Sequence, residues 1–89
     1  MLIEIITPDT KIFEGEGISA IFPGTDGSFQ VLNNHAPIVS TLKKGEILID
    51  GVDNDLESDV LDFSTGRASL EIKSGVVEMK KNKLIILVD

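Results

Sequence analysis

No window of a dozen residues places apolar side chains at i, i+3, i+4 and i+7 free of Gly or Pro, so a core of packed helices is excluded. What remains is a series of short extended runs, each stopped by turn residues. Residues 2–7 read as a first strand halted by Pro8, and residues 11–14 as its partner across a hairpin. Residues 18–22 place Ile18, Ala20 and Phe22 opposite Ser19 and Ile21, and Pro23-Gly24 ends the run. A turn at Gly24-Thr25-Asp26-Gly27 leads to residues 28–32, where Phe29 and Val31 share a side, and then to Asn33-Asn34, which tolerate left-handed backbone.

The second half repeats the pattern. Residues 37–42 and 46–50 flank Lys43-Lys44-Gly45, a reversal in which Gly45 is free to take positive φ. Residues 51–59 read as an exposed acidic loop with room for one helical turn, and residues 60–63 as a short edge strand. Residues 68–73 alternate strictly, with Ala68, Leu70 and Ile72 on one face and Ser69, Glu71 and Lys73 on the other. Residues 76–79 and 84–88 close the chain around Lys80-Lys81-Asn82-Lys83, where Asn82 suits the positive φ of a tight hairpin, and the unbroken Leu84-Ile85-Ile86-Leu87-Val88 predicts a strand covered on both sides. Such spacing predicts one all-β domain over residues 1–89, a two-layer β-sandwich or flattened barrel of about ten short, mostly antiparallel strands.

Composition narrows what such a slab does. At 89 residues one core is all the chain can bury well. The apolar content comes mostly from Ile, Leu and Val, with four Phe and no Trp or Tyr, which suits pleated surfaces. There is no Cys, so disulfides and thiolate chemistry are excluded and a cytoplasmic address fits best. Met1 to Ile6 lack the basic flank and uninterrupted apolar core of a signal peptide, and no run reaches the ~20 apolar residues of a membrane span. The net charge of −7 argues against nucleic acid. Seven of the fifteen acids (Glu46, Asp50, Asp53, Asp55, Glu57, Asp59 and Asp62) fall in a stretch without Lys or Arg, while the other eight balance eight bases. The acidity belongs to one segment.

Catalytic and cofactor sites find little support. With His35 as the sole imidazole, zinc would need several carboxylates around one ring, so no metal and no cofactor are expected. Asp53, Asp55 and Asp59 imitate part of an EF-hand loop, but Ser58 stands where Gly is needed and Ser64 where the bidentate Glu belongs. A calcium- or ligand-binding sandwich module using that loop is the main alternative function. Neither Gly24-Thr25-Asp26-Gly27-Ser28 nor Ser64-Thr65-Gly66-Arg67 ends as a phosphate loop does, and a hydrolase built on Ser28 would have only His35 as its imidazole base. His35 itself reads either as a turn residue bonding nearby backbone or as a partner contact in a loop stiffened by Pro37.

Taken in order, Thr7-Pro8, Phe13-Glu14-Gly15, Pro23-Gly24-Thr25-Asp26-Gly27-Ser28-Phe29, Asn34-His35-Ala36-Pro37-Ile38, Leu42-Lys43-Lys44-Gly45-Glu46-Ile47 and the ending from Ser74-Gly75-Val76-Val77-Glu78 to Leu87-Val88-Asp89 give a pattern that resembles the epsilon-subunit family of bacterial F-type ATP synthase. The match runs almost end to end. It implies a sandwich of two five-stranded sheets at the foot of the rotating central stalk, peripheral on the cytoplasmic face of the plasma membrane. One face would bind the gamma subunit, and the domain would rest on the polar loops of the c-ring without inserting in the bilayer. Carried over, Asp26, Gly27, Ser28, Phe29 and Gln30, with Asn34, His35, Ala36 and Pro37, look like the end that meets the c-ring. Members of that family commonly continue beyond the last strand into a pair of α-helices, for which these 89 residues hold no counterpart, and the acidic stretch 51–65 is longer than the usual connection.

Overall fold

A computed structural model describes residues 1–52, 61–63 and 67–89. Among these residues nine strands form: β1 (Leu2–Ile6), β2 (Lys11–Glu16), β3 (Ser19–Gly24), β4 (Gly27–Leu32), β5 (Ile38–Leu42), β6 (Gly45–Asp50), β7 (Ala68–Ile72), β8 (Gly75–Lys80) and β9 (Lys83–Val88). Hydrogen bonds join them into one curled sheet. One half runs β2-β1-β9-β8-β5 and the other β4-β3-β6-β7. The halves meet where β3 touches β5 at the Gly24–Leu42 pair, flanked by bonds from Lys43 N–H to the Pro23 carbonyl (2.9 Å) and from Thr25 N–H to the Thr41 carbonyl (3.2 Å). The four-stranded half gains an isolated bridge, Asp62 to Ser69, on the far side of β7, at the place where the edge strand 60–63 was expected; Val60 lies outside the described residues.

All pairings are antiparallel except β1 with β9, which run parallel in register Ile3 to Leu84 and Ile5 to Ile86. The first and last strands therefore sit side by side in the middle of their half. Inward side chains of both halves build a single core that includes Ile3, Ile5, Phe22, Ile47, Ile49, Val77, Met79, Leu84 and Ile86, all essentially free of solvent. Each fully buried aliphatic side chain of this kind contributes ~1.5–3 kcal/mol of transfer free energy. Phe22 and Phe29, paired across β3 and β4, place their ring centroids 5.4 Å apart in a tilted arrangement.

The structure departs from the sequence expectations at four places. β3 continues through Pro23 to Gly24, because the ladder to β6 has already ended at the Ile21–Leu48 pair and the missing N–H of proline has no partner to deprive. Ile18, expected to share the buried side of Ala20 and Phe22, precedes the strand and is 64% exposed. Gly45 does not take positive φ; it lies under Pro23, where an added Cβ would stand 2.7 Å from the proline Cβ, so the residue is selected by contact. Finally, β9 is covered on one side only: Leu84, Ile86 and Val88 are buried while Leu87 is 47% exposed.

Two turns behave as read. Asn34 has φ 63°, and Lys81 and Asn82 have φ 52° and 58°, the primed geometry that matches strand twist in two-residue hairpins. Asn82 is also a junction. Its side-chain oxygen accepts the Asn34 N–H (2.7 Å) and its carbonyl accepts the Leu2 N–H (3.1 Å), tying the β8–β9 turn to the β4–β5 connection and to β1.

Candidate docking surfaces

Registers across β5, β8, β9 and β1 lay out the outward side of the five-stranded half as three rows. The first is Thr41, Val76, Leu87 and Ile6; the second is Val39, Glu78, Ile85 and Glu4; the third holds Lys80, Lys83 and Leu2. Val39 is 70% exposed and Leu87 47%, with Val76, Ile85 and Ile6 half-buried between and beside them. An apolar band thus crosses the outside of the sheet, grading into lysines toward the β8–β9 turn. Isolated exposed aliphatics are ordinary, but a contiguous band on a charged domain marks a contact surface.

Charges on this face are partly settled within the chain. Glu4, only 7% exposed, receives Lys83 Nζ at 3.0 Å and Lys11 Nζ at 3.6 Å, and Lys11 also reaches Glu14 at 3.3 Å. The hydrogen bond from Lys83, with the positive charge of Lys11, holds the Glu4 carboxyl below its ordinary range against the opposing effect of burial. On the opposite face, Arg67 grips Asp50 through two bonds of 2.7 Å, from Nε to Oδ1 and from Nη2 to Oδ2, and Ser19 Oγ adds a third at 3.2 Å. That fork-on-carboxylate geometry holds the Asp50 carboxyl below its ordinary range.

The residues singled out from sequence separate into two groups. Asp26 is in the two-residue β3–β4 turn, with Gly27 (φ 130°), Ser28, Phe29 and Gln30 leading away from it along β4; Phe29 is half-buried under the turn and the rest are exposed. Asn34, His35, Ala36 and Pro37 follow the other end of β4, exposed on the connection to β5. The six residues of β4, ~20 Å, lie between Asp26 and Asn33, so Asp26 and His35 flank opposite ends of that strand, while Gly27 to Gln30 run along it toward the second motif. His35 donates its backbone N–H to the Leu32 carbonyl (3.0 Å), and its Nδ1 lies 2.7 Å from the Ala36 carbonyl, as a turn residue would. Ile18 and Leu32, exposed at 64% and 54%, adjoin this turn through the Asn33 N–H to Ile18 carbonyl bond (3.0 Å).

The same separation dismantles a Ser28–His35 hydrolase, since the two side chains belong to opposite ends of β4. Among the described residues no three acidic or imidazole groups gather as metal ligands would; Asp53, Asp55 and Asp59 of the calcium reading lie outside them. Among those residues, too, no helix is long and apolar enough to cross a membrane. Sequence reasoning missed Val39, Val76 and Leu87 as surface residues. The one available signal was that Leu87 sits in a run apolar at every position, and Val76 beside Val77, where a period of two cannot tell inside from outside.

Comparison with known proteins supplies an independent line. The family model described as ATP synthase, Delta/Epsilon chain, beta-sandwich domain matches residues 1–89. The ATP synthase epsilon chain of Campylobacter fetus is 36% identical over 98% of this chain and 59% of its own length, and that of Chlorobium limicola is 33% identical over 98% and 86%. The chain therefore spans little more than half of the first relative and most of the second. In structure, it is similar to a chain of the central stalk/c-ring of the Tetrahymena thermophila mitochondrial ATP synthase, with TM-score 0.72 at 15% identity, covering 99% of this chain and 62% of that one.

Proposed function

Because the chain belongs to the delta/epsilon-chain family of ATP synthase, as that family's β-sandwich domain, we propose that it is a non-catalytic part of the central stalk of an F-type, proton-translocating enzyme. In this role the domain couples rotation of the c-ring to the catalytic core, at the cytoplasmic face of a bacterial plasma membrane. The chemistry asked of it is mechanical. Two bonded layers around a close-packed core resist shear, and adhesion on two sides carries torque without any proton or covalent transfer in this chain.

The observation that carries this reading is the exposed band Val39, Val76, Leu87 and Ile6, which we assign to the gamma subunit. A stable interface needs ~800 Å² from each partner with an apolar centre, and this face offers such a centre. The polar, exposed tip at Thr25, Asp26, Gly27 and Ser28 is the better match for the polar c-ring loops. His35, with Ile18 and Leu32 beside it, then belongs to a contact at the other end of β4.

The test is co-expression with the gamma subunit of the same organism. Wild-type chain is expected to co-purify with gamma, and Leu87→Glu to lose it while keeping the circular dichroism and melting curve of the parent. Undiminished recovery of gamma by a folded Leu87→Glu chain would remove this face from the interface.

A further inference from the structure

The lysines beside the apolar band are not equivalent. Lys83 is engaged by Glu4, and Lys11 by Glu4 and Glu14, whereas Lys80 and Lys81 have no carboxylate partner among the described residues. Lys80 and Lys83 are direct cross-strand partners. Like charges so placed oppose each other, and Glu4 relieves Lys83 alone. Lys81 is held in left-handed backbone at φ 52°, in a turn that Asn82 fastens to two neighbouring segments, so its Cα is fixed in place. In a chain of net charge −7, two ammonium groups without an ion-pair partner on a rigid turn are a local concentration of positive charge, set off from Val76 and Leu87 by the row that holds Glu78 and Ile85.

We infer that the protein segment covering this face is amphipathic and has a fixed orientation: apolar where it crosses Val76 and Leu87, and carboxylate-bearing where it reaches Lys80 and Lys81. This rests on the assignment of the face to gamma. Val76 and Lys80 are four positions apart on β8, a span of ~13 Å. The partner's acids should therefore lie about four residues beyond its apolar contacts if it is extended, or about nine if it is helical. The charges act on orientation and encounter rate, while the apolar band supplies the adhesion. The same turn on an anionic lipid surface is the competing outcome.

The experiment measures binding of the full chain to the purified gamma subunit of the same organism, and to vesicles of phosphatidylcholine with phosphatidylglycerol. The Lys80→Glu, Lys81→Glu double variant is expected to raise Kd for gamma about tenfold at ~50 mM salt, and by much less at ~0.5 M, because these charges are solvent-exposed and screened. Lys80→Gln, Lys81→Gln should fall between it and the parent. Leu87→Glu should lose binding at both salt concentrations. If the lysine variants bind gamma as the parent does while Leu87→Glu fails, the inference is overturned and the assignment of the face stands. If Leu87→Glu also binds as the parent does, both are overturned. Vesicle binding that the double glutamate variant abolishes, with affinity for gamma unchanged, gives the turn to lipid and overturns the inference as well.

Discussion

The two outward faces of the sandwich solve the same physical problem differently. On the four-stranded half, Ser19, Asp50 and Arg67 bond to one another, and Ser69 is buried beneath its bridge to Asp62. These central polar groups are satisfied within the chain, although the cross-strand partners Glu46 and Glu71 make no ion pair among the described residues, and its exposed large aliphatics, Ile18 and Leu32, lie together at one margin. The five-stranded half instead leaves Val39 and Leu87 in water and two lysines unpaired. A face whose groups bond one another gains little from a partner, whereas a face with exposed aliphatics gains hydrophobic free energy when covered. The difference distinguishes the two outward faces without reference to any relative.

The comparison is sharpened most by a pair of neighbours on β9 that point to opposite sides. Ile86→Ala, in the core, is expected to cost about 2–5 kcal/mol in denaturant unfolding, while Leu87→Ala, outside it, costs under ~1 kcal/mol. Equal losses would mean that the outer band is structural. A smaller effect is expected from Arg67→Gln. This bidentate pair is more than a third exposed at both partners, so solvent screening keeps the loss well below that of Ile86→Ala, and it should leave gamma binding unchanged. Loss of gamma by this variant would break the division between the faces.

The smallest signal is a pH dependence. Glu4 and Asp50 both have folded pKa values depressed below their ordinary 4.5 and 3.8, so their contribution to stability is fully present above those values and drains away as pH falls through and below them. Thermal melting between pH 6 and pH 2.5 should show this loss, and Glu4→Gln should flatten its upper part. A Glu4→Gln profile identical to that of the parent would show that the Glu4–Lys83 contact adds nothing to folding.

Alternation and turn chemistry exposed most of the architecture in the sequence. The hairpins at Lys81-Asn82 and Thr25-Asp26, the strict face of β7, and the sandwich itself follow from periods of two broken by Gly, Asn and Pro. What stayed hidden depends on pairing between distant segments. Nothing in Leu2 to Ile6 announces a parallel partner at Lys83 to Val88, and the outer position of that partner's Leu87 is what makes the exposed apolar band. Gly45 was misread because glycine signals both backbone freedom and close approach, and only the proximity of Pro23 separates the two. The proposed contact residues were legible as motifs, but their spread along β4, with Asp26 before its first residue and His35 beyond its last, was not.

The parallel seam between β1 and β9 also governs how the domain is born. Ile3 and Ile5 have Leu84 and Ile86 as their neighbours across that seam, so the opening strand gains this partner only after the ninth has been synthesised. Closing so long a loop is slow relative to forming hairpins. The outer band, which sets Ile6 beside Leu87, is therefore among the last parts of the sheet to be completed.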